Sequence, residues 1–305
     1  MKNKKGIRSP LFYVGDKYKL MPQLKELFPK KINSFYDVFC GGGSASINTQ
    51  ANQYFMNDVN SKIIELHSLL IDHSNDIEKF ISYQYEQIEK YRLSHSEFGL
   101  NIEIENLKKE FKKTYFSKYN KNSYMLLRDS YNSEQSDTMK LYLLLVYGFN
   151  HMIRFNNSGQ FNLPVGNVDW NKNVTQALRD YSEWIIDRDS KVNLTSLDFE
   201  EFIDNQTIGT DDFLYFDPPY LITFSDYNKL WDPKEEKRLY DLLDRLNQRG
   251  VKWGLSNMVT HKGKTNELLI EWAQKYNEYS ISSNYISRFD NTIKENSKEI
   301  YVTNI

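Results

Sequence analysis

Residues 35–44 read Phe-Tyr-Asp-Val-Phe-Cys-Gly-Gly-Gly-Ser, an apolar run that passes directly into three glycines. The run predicts a short strand over 35–39, and the glycines predict a tight turn that opens a helix reaching Asn48. A second predicted strand, 54–56, ends just before Asp58. An acid in that position after a glycine-rich turn is typical of a nucleotide-like ligand site. The segment therefore predicts an α/β sheet that binds a ligand at its carboxyl edge.

The glycine turn favours an adenosine without phosphates as the ligand. Three successive glycines let the backbone approach a ligand closely, and Asp58 can accept hydrogen bonds from both hydroxyls of a ribose. The run lacks the spacing of a dinucleotide fingerprint, and no phosphate-binding Lys-Ser/Thr pair follows it. S-adenosylmethionine meets this description, and residues 13–17 are placed to supply an aromatic wall and a cation for its carboxylate. By themselves the glycines fit a plain tight turn equally well.

A second motif, Asp217-Pro218-Pro219-Tyr220, follows a predicted buried strand over 213–216. Neither proline can donate a backbone hydrogen bond, so the strand pairing stops there and the backbone after it is conformationally restricted. A carboxylate, a backbone carbonyl and an aromatic ring presented together suit the grip on an amino group of a flat heterocycle. The alternative interpretation is an ordinary strand-to-loop junction with an exposed tyrosine.

Composition limits the class of protein. The chain has 305 residues, a net charge of −2 and one cysteine, Cys40, which excludes an internal disulfide and a cysteine-based metal cluster. The five histidines lack the spacing of metal ligands, so we expect no metal. The basic stretch 1–10 has no apolar segment after it, and no run is long enough to span a membrane. These features predict a soluble protein of a reducing cytoplasm.

The α/β pattern is interrupted between residues 72 and 171 by a polar, helical region. Leu141, Leu144, Leu145 and Phe149 are predicted to mark one amphipathic face there. Residues 108–121 hold six lysines and one glutamate, for which a solvated helical surface is the favoured interpretation. The flanking segments predict helices over 17–28, 61–70, 233–247 and 266–276, and strands over 192–197, 252–255, 279–283 and 299–302.

The motifs together resemble the Dam family of DNA adenine N6-methyltransferases, the D12 class, most closely its phage-type members. The resemblance rests on 39–44, 217–220 and three further segments, 13–17, 148–156 and 159–166. It is densest over 217–227 and 249–264, and covers nearly the whole chain except 94–122. It implies a Rossmann-like methyltransferase sheet with a helical target-recognition insertion. The implied domains are a catalytic domain, 1–71 with 172–305, and a target-recognition domain, 72–171.

The resemblance also assigns residues and partners. S-adenosylmethionine would be the cofactor, S-adenosylhomocysteine the product, and double-stranded DNA the substrate, with GATC as the target sequence. A bacterial or phage-infected cytoplasm and a possible cognate restriction endonuclease follow, while the oligomeric state stays open. The implied cofactor-binding residues are Tyr13, Lys17, Phe39, Gly41, Gly43, Asp58, Asp198, Phe199 and Asp217.

The implied DNA-binding residues all lie between 149 and 164. Arg154 would read guanine, although a phosphate contact or a surface ion pair is the alternative for an arginine. Phe149 and Asn150 would lie near the position that a flipped base vacates, and Phe149 stands where some members have tyrosine. His151 stands where a small residue is expected. The remaining implied base contacts come from Met152, Asn156 and Pro164.

The residues of the second motif suggest a mechanism. Hydrogen bonds from an adenine N6–H to the Asp217 carboxylate and the Pro218 carbonyl would draw the nitrogen toward tetrahedral geometry and free its lone pair. The base must first leave the duplex, and Tyr220 would then stack on it, an interaction of about 1–3 kcal/mol. We therefore predict Asp217, Pro218, Pro219 and Tyr220 as the catalytic residues.

Four other classes of protein are alternatives. A cytosine C5-methyltransferase needs a Pro-Cys nucleophile, and no proline precedes Cys40. Cytosine N4 enzymes favour serine at the position of Asp217 and remain possible. An RNA or protein methyltransferase would not be expected to carry the segment around Arg154. A DNA-binding module without activity would be expected to lose acids such as Asp58.

Overall fold

The structure is a computed structural model that describes residues 6–100, 102–188, 191–223, 231–282 and 297–305. Residues 224–227 of the densest resemblance and residue 283 of a predicted strand lie outside the described residues. The chain forms two compact units. The sheet unit comprises Lys17–Val59 with Ser190–Ile305, and the helical unit comprises Met1–Asp16 with Asn60–Asp189.

The sheet unit is built on a mostly parallel sheet with strand order β3-β2-β1-β4-β5-β8-β7. Its first five strands in that order are parallel, β8 runs antiparallel to β5, and β7 is antiparallel to β8. A short strand, β6, pairs with the end of β5. The strands are β1 (Ser34–Asp37), β2 (Gln53–Asn57), β3 (Val192–Thr195), β4 (Phe213–Phe216), β5 (Lys252–His261), β6 (Lys264–Thr265), β7 (Asn277–Ile281) and β8 (Ser297–Thr303).

Burial explains why these strands read as apolar runs. Every residue of β1 and β4 is buried, as expected for parallel strands covered on both faces. Leu239, Leu243 and Leu246 of one flanking helix belong to the same buried cluster as Trp253 of β5. The helices of this unit are α1 (Met21–Leu24), α2 (Ser44–Asn48), α9 (Phe199–Asp204), α10 (Pro233–Gln248) and α11 (Glu267–Ala273).

The helical unit contains six α-helices among its described residues. They are α3 (Ser61–Asp72), α4 (Ile77–Tyr91), α5 (Ile102–Phe111), α6 (Tyr115–Ser133), α7 (Thr138–Tyr147) and α8 (Lys172–Ile186). α7 is buried on all sides from Leu141 to Tyr147, so the predicted single amphipathic face is wrong. Phe149 lies beyond the end of α7, with 49% of its surface exposed.

Most predicted elements agree with the structure to within a few residues, and the mixed α/β fold is confirmed. The predicted helix 17–28 is wrong in extent, because only Met21–Leu24 is helical, with Pro22 in its first turn. β5 is longer than predicted, since its second half pairs with β8.

The two compact units do not share the boundaries of the predicted domains. α3 and α8 belong to the helical unit, where His67 Nδ1 lies 3.1 Å from the Tyr181 hydroxyl and Ser182 Oγ donates to the Ser74 carbonyl at 2.7 Å. A target-recognition role for residues 72–171 stays a prediction. Within the described ranges, the protein contains no helix with both the length and the apolar character needed to cross a membrane.

Candidate functional site

The carboxyl ends of β1, β2 and β4 meet at one edge of the sheet. The parallel register pairs Asp37 with Met56 on one side and with Tyr215 on the other. The loops that follow these strands therefore begin side by side. They carry the glycine turn, Asp58 and Asp217, which is the edge where ligands bind in open α/β sheets.

The glycine turn is held to the end of β2 by its backbone. The Gly41 N–H donates to Asp58 Oδ2 at 3.0 Å, and the Cys40 N–H donates to the Asn57 carbonyl at 2.8 Å. Gly41 and Gly43 have φ values of 46° and 75°, which a side chain would strain. The turn thus places the half-buried carboxylate of Asp58 beside the half-buried backbone of Gly41 at the edge of the sheet.

Asp37 adds a buried acid below this turn. Its carboxylate accepts from Ser46 Oγ at 2.7 Å and from the Ser46 N–H at 3.2 Å. Burial raises the pKa of Asp37 to about 7; the Ser46 hydrogen bonds oppose this rise, and the nearby Asp217 and Asp58 charges add to it. The carboxylates of Asp37, Asp58 and Asp217 therefore repel one another at this edge of the sheet.

Asp217 belongs to a compact group of charged and aromatic side chains. Lys17 Nζ lies 2.7 Å from Asp217 Oδ2 and 3.9 Å from Glu299 Oε1. The Tyr220 hydroxyl lies 3.2 Å from Asp217 Oδ1 and donates to Glu299 Oε1 at 2.7 Å. Lys17 Nζ is also 5.1 Å from the centre of the Tyr220 ring. Two carboxylates thus share one ammonium group and one phenol.

Burial decides the electrostatics of this group. Lys17 and Glu299 retain 7% and 1% of their exposure, so their charges interact through little water. Burial raises the pKa of Asp217, the Lys17 charge and its hydrogen bond lower it, and the Glu299 charge raises it again. With one cation between two carboxylates, the group carries a net negative charge when all three are ionised.

Phe39, which lies just before the glycine turn in the chain, belongs to a cluster of aromatic rings. The Phe39 ring centre is 5.5 Å from that of Phe199 and 5.6 Å from that of Trp231, and the last two are 5.9 Å apart. Asp198 caps α9 by accepting from the Glu200 N–H at 3.0 Å. It also forms an ion pair with Arg238. Asp198 is therefore engaged structurally, and its predicted cofactor contact stays a prediction.

In the helical unit, the predicted DNA-contacting residues lie on one extended loop, 148–167. Its two arms approach closely at Gly148 and Gly166, because a Cβ on Gly166 would lie 2.7 Å from the Gly148 carbonyl oxygen. The Phe149 N–H donates to the Pro164 carbonyl at 2.9 Å. Asn156 Oδ1 accepts from the N–H groups of Ser158 and Gln160. The side chain of Asn156 thus shapes the tip of the loop.

The backbone at Phe149 is unusual. Asn150 and His151 have consecutive φ values of 53° and 50°, in the left-handed region that residues with side chains avoid. His151 Nδ1 lies 3.1 Å from the Leu145 carbonyl oxygen, and its ring lies 5.5 Å from that of Phe12. Burial lowers the pKa of His151. The half-buried imidazole thus anchors the turn that exposes Phe149 and Asn150.

Arg154 is oriented by hydrogen bonds to Asn162 on the same loop. Its Nε donates to Asn162 Oδ1 at 2.9 Å and its Nη2 donates to the Asn162 backbone carbonyl at 2.8 Å. The guanidinium is half-buried and its plane is fixed by these two bonds. Met152, the remaining predicted base contact, is also half-buried.

Comparison with known families decides the broad class. The model of the D12 class N6 adenine-specific DNA methyltransferase family matches residues 13–286. The chain belongs to this family. The predicted family resemblance and the predicted fold are thereby confirmed.

D12 relatives occur among restriction–modification and other adenine methylases. The chain is 34% identical to the type II methyltransferase M.FokI of Planomicrobium okeanokoites, over 98% of the chain and 43% of that protein. It is 33% identical to the modification methylase StsI of Streptococcus sanguinis, over 99% of the chain and 43% of that protein. It is 24% identical to the DNA adenine methylase of Escherichia coli K12, over 91% and 90%. The chain spans less than half the length of the first two relatives.

The predicted D12 site residues fall into the two units. In the sheet unit, Lys17 forms an ion pair with Asp217, the Gly41 N–H donates to Asp58, and the Phe39 ring packs near that of Phe199. Tyr13 belongs to the helical unit, together with all six predicted DNA-binding residues. Their assignments to cofactor and DNA stay predictions.

Three residues at the edge of the sheet were missed by the sequence analysis: Asp37, Trp231 and Glu299. Asp37 was counted as part of an apolar strand, and a charged residue in such a run is a usable signal. Glu299 begins the apolar run 299–302, which is a similar signal. Trp231 carried none, because it lies on a loop before α10.

Proposed function

We propose that this chain transfers a methyl group from S-adenosylmethionine to the N6 atom of an adenine that has left a DNA duplex. The observation that carries the proposal is the Asp217 carboxylate, held 2.7 Å from Lys17 Nζ beside Tyr220 at the carboxyl edge of the sheet. Membership of the D12 family supports adenine as the base. GATC is the target sequence that the family resemblance favours.

The sheet unit offers residues that fit the cofactor. Asp58 is a half-buried carboxylate that can accept ribose hydroxyls in addition to the Gly41 N–H, since a carboxylate has about four acceptor sites. The aromatic cluster of Phe39, Phe199 and Trp231 can hold an adenine ring. When bound, S-adenosylmethionine supplies an electrophilic methyl group on a positively charged sulfur.

The residues of the motif act on the amine of the target base. Asp217 Oδ1 and the Pro218 carbonyl accept hydrogen bonds from N6–H, which turns the nitrogen lone pair toward the methyl donor. Tyr220 stacks on the base and holds its plane. Once the nitrogen carries the methyl group, it releases one proton along its hydrogen bond to Asp217, so catalysis rests on positioning and on electrostatics and needs no strong base.

Glu299 has a defined place in this scheme. Lys17 neutralises Asp217, and a neutral pair would do little for a nitrogen that gains positive charge. Glu299 restores a net negative charge to the group, which stabilises that nitrogen. Glu299 is a positioning and electrostatic residue, because it acts through Tyr220 and Lys17.

A methyl-transfer assay tests the proposal. The purified chain is given S-adenosylmethionine labelled in its methyl group and duplexes that contain GATC or the same bases in another order. We expect label in N6-methyladenine, and more of it on the GATC duplex. Asp217→Ala should abolish transfer and leave DNA binding measurable. Label in cytosine, or none with any duplex, would contradict the proposed activity.

The setting of the reaction is proposed from the relatives. Two of them are named as a type II methyltransferase and a modification methylase, which supports a partner restriction endonuclease for this chain as well. The substrate places the reaction where bacterial or phage DNA is found, in the cytoplasm. Mapping of N6-methyladenine in the DNA of host cells, with and without expression of the chain, tests both the target sequence and the setting.

A further inference from the structure

The end of α5, the following turn and the start of α6 form a positively charged surface, here called the lysine turn (residues 108–121). Its six lysines and one glutamate give it a net charge of +5 in a chain whose net charge is −2. All six lysines are exposed: Lys108, Lys109, Lys112, Lys113, Lys118 and Lys121. A chain without bulk positive charge can hold a polyanion only through such a local surface.

Aromatic rings support two of these lysines. Lys108 Nζ lies 5.8 Å from the centre of the Tyr115 ring, and Lys118 Nζ lies 5.0 Å from the centre of the Phe111 ring. A ring restricts the stem of the lysine while its ammonium group stays at the surface. Part of the positive charge is therefore held in place before any partner binds.

α6 connects the lysine turn to the loop with the predicted DNA contacts. At the first turn of α6, Asn167 Oδ1 accepts from the N–H groups of Phe116 and Ser117 at 3.0 and 3.3 Å. At its last turn, Asn132 exchanges two hydrogen bonds with the backbone of Phe161, at 2.8 and 3.0 Å. Both ends of α6 are thus hydrogen-bonded to the same loop, 148–167.

The length of α6 sets a distance. Its 19 residues span roughly 27 Å at about 1.5 Å per residue. Duplex DNA rises about 3.4 Å per base pair, so this span corresponds to roughly 8 base pairs. Arg154 is attached near the Asn132 end through Asn162 and Phe161, whereas the lysine turn lies at the other end.

We propose that the lysine turn contacts DNA phosphates outside the recognition sequence, on one flank of the target. The inference rests on the proposed function, which makes duplex DNA the substrate. DNA is favoured over an acidic protein because the surface is attached to the predicted base-reading loop. Each phosphate that a lysine neutralises releases a counterion, which makes binding depend more steeply on salt.

The test compares two variants on two duplexes. Lys109→Gln, Lys112→Gln and Lys113→Gln are combined in one variant, and Lys25→Gln, Lys30→Gln and Lys31→Gln form the control, since those three lysines are exposed as well. Affinity is measured by fluorescence anisotropy between about 50 and 200 mM salt. The duplexes carry the recognition sequence with either about 4 or about 15 flanking base pairs on each side, less and more than the helix-derived span.

We expect the slope of log affinity against log salt to fall in magnitude by about 1–3 for the lysine-turn variant on the long duplex. The short duplex and the control variant should show little change, and replacement of the three lysines by arginine should retain the slope. Equal slopes for the variant and the unaltered chain would overturn the inference, and so would equal losses on both duplexes. Methyl transfer by the unaltered chain to the short duplex tests the proposed function separately.

Discussion

The Tyr220 hydroxyl lies closer to Glu299 Oε1, at 2.7 Å, than to Asp217 Oδ1, at 3.2 Å. A phenol has one proton to donate, and the shorter bond directs it to Glu299. Asp217 Oδ1 therefore keeps its capacity to accept a hydrogen bond from an incoming amine. Without Glu299, the Tyr220 hydroxyl would donate to the carboxylate that the proposed reaction needs.

Glu299→Gln should lower kcat by about 10- to 100-fold, which corresponds to about 1.4–2.8 kcal/mol of lost transition-state stabilisation. It should also move the acid limb of the pH–rate profile to lower pH, because the Glu299 charge raises the pKa of Asp217. Steady-state kinetics across pH would measure both effects. Glu278→Gln is the control, since Glu278 lies on the neighbouring strand in a partly exposed ion pair with Lys298.

A double-mutant cycle separates the two roles of Glu299. In a Tyr220→Phe background the hydroxyl is absent, so the remaining effect of Glu299→Gln reports the charge alone. Additive losses would contradict the idea that Glu299 keeps the tyrosine proton away from Asp217.

Lys17→Gln should shift the acid limb in the opposite direction. Burial already raises the pKa of Asp217, and Lys17 is the main group that opposes this rise. In the proposed reaction Asp217 must be ionised to accept the amine. As pH is lowered, activity should therefore begin to fall at a higher pH in the variant than in the unaltered chain. An acid limb that stays at the same pH would mean that another group controls it.

Asp37→Asn should flatten the pH dependence of stability. The folded-state pKa of Asp37 is about 7, above its ordinary value of 3.8. Between these pH values the folded protein keeps a proton that the unfolded chain has released, so the free energy of unfolding falls as pH rises. In the variant, the slope of the free energy of unfolding against pH should be smaller by about 1.4 kcal/mol per pH unit, as measured by urea unfolding. Asp204→Asn, at an exposed position, is the control.

Asn162→Ala should reduce discrimination between target and non-target duplexes, because it removes the side-chain bond to Arg154 Nε. Arg154→Ala should reduce it further, by about 1–3 kcal/mol at one base pair. Competition binding with single base-pair substitutions would measure this. Arg179→Ala is a control from the same unit, where Arg179 pairs with Glu78. A uniform loss of affinity on all duplexes would assign Arg154 to a phosphate.

Asp58→Ala should weaken binding of S-adenosylmethionine by about 10- to 100-fold, the range for hydrogen bonds to a charged group. Calorimetry without DNA would measure the affinity. The variant also removes the acceptor of the Gly41 N–H, so its thermal unfolding should be compared with that of Asp204→Ala. An unchanged affinity would contradict the ribose assignment.

The sequence was informative where local chemistry determines structure. The predicted strand 213–216 has the bounds of β4, because a buried apolar run is cut off by two prolines. The turn after β1 follows from its glycines in the same way. The family-level function could also be predicted, since it depends on motifs within short segments.

Other features depend on partners that are distant in sequence. Glu299 reaches the group around Asp217 because β8 inserts antiparallel beside β5, with Glu299 opposite Met258. No local pattern gives that register. The predicted helix 17–28 was too long because the backbone on both sides of α1 forms turns, in which the Leu20 N–H donates to the Lys17 carbonyl and the Leu27 N–H donates to the Leu24 carbonyl.

Trp231 gives the sheet unit an internal optical reporter. The other four tryptophans are almost completely buried, whereas Trp231 is partly exposed and packs against Phe39 and Phe199. Its indole N–H donates to the buried Glu236 at 2.6 Å, which limits rotation of the ring. Quenching of intrinsic fluorescence by acrylamide should therefore report mainly on this one residue. Binding of S-adenosylmethionine at the aromatic cluster, as proposed above, should therefore change this fluorescence, without a label and without turnover.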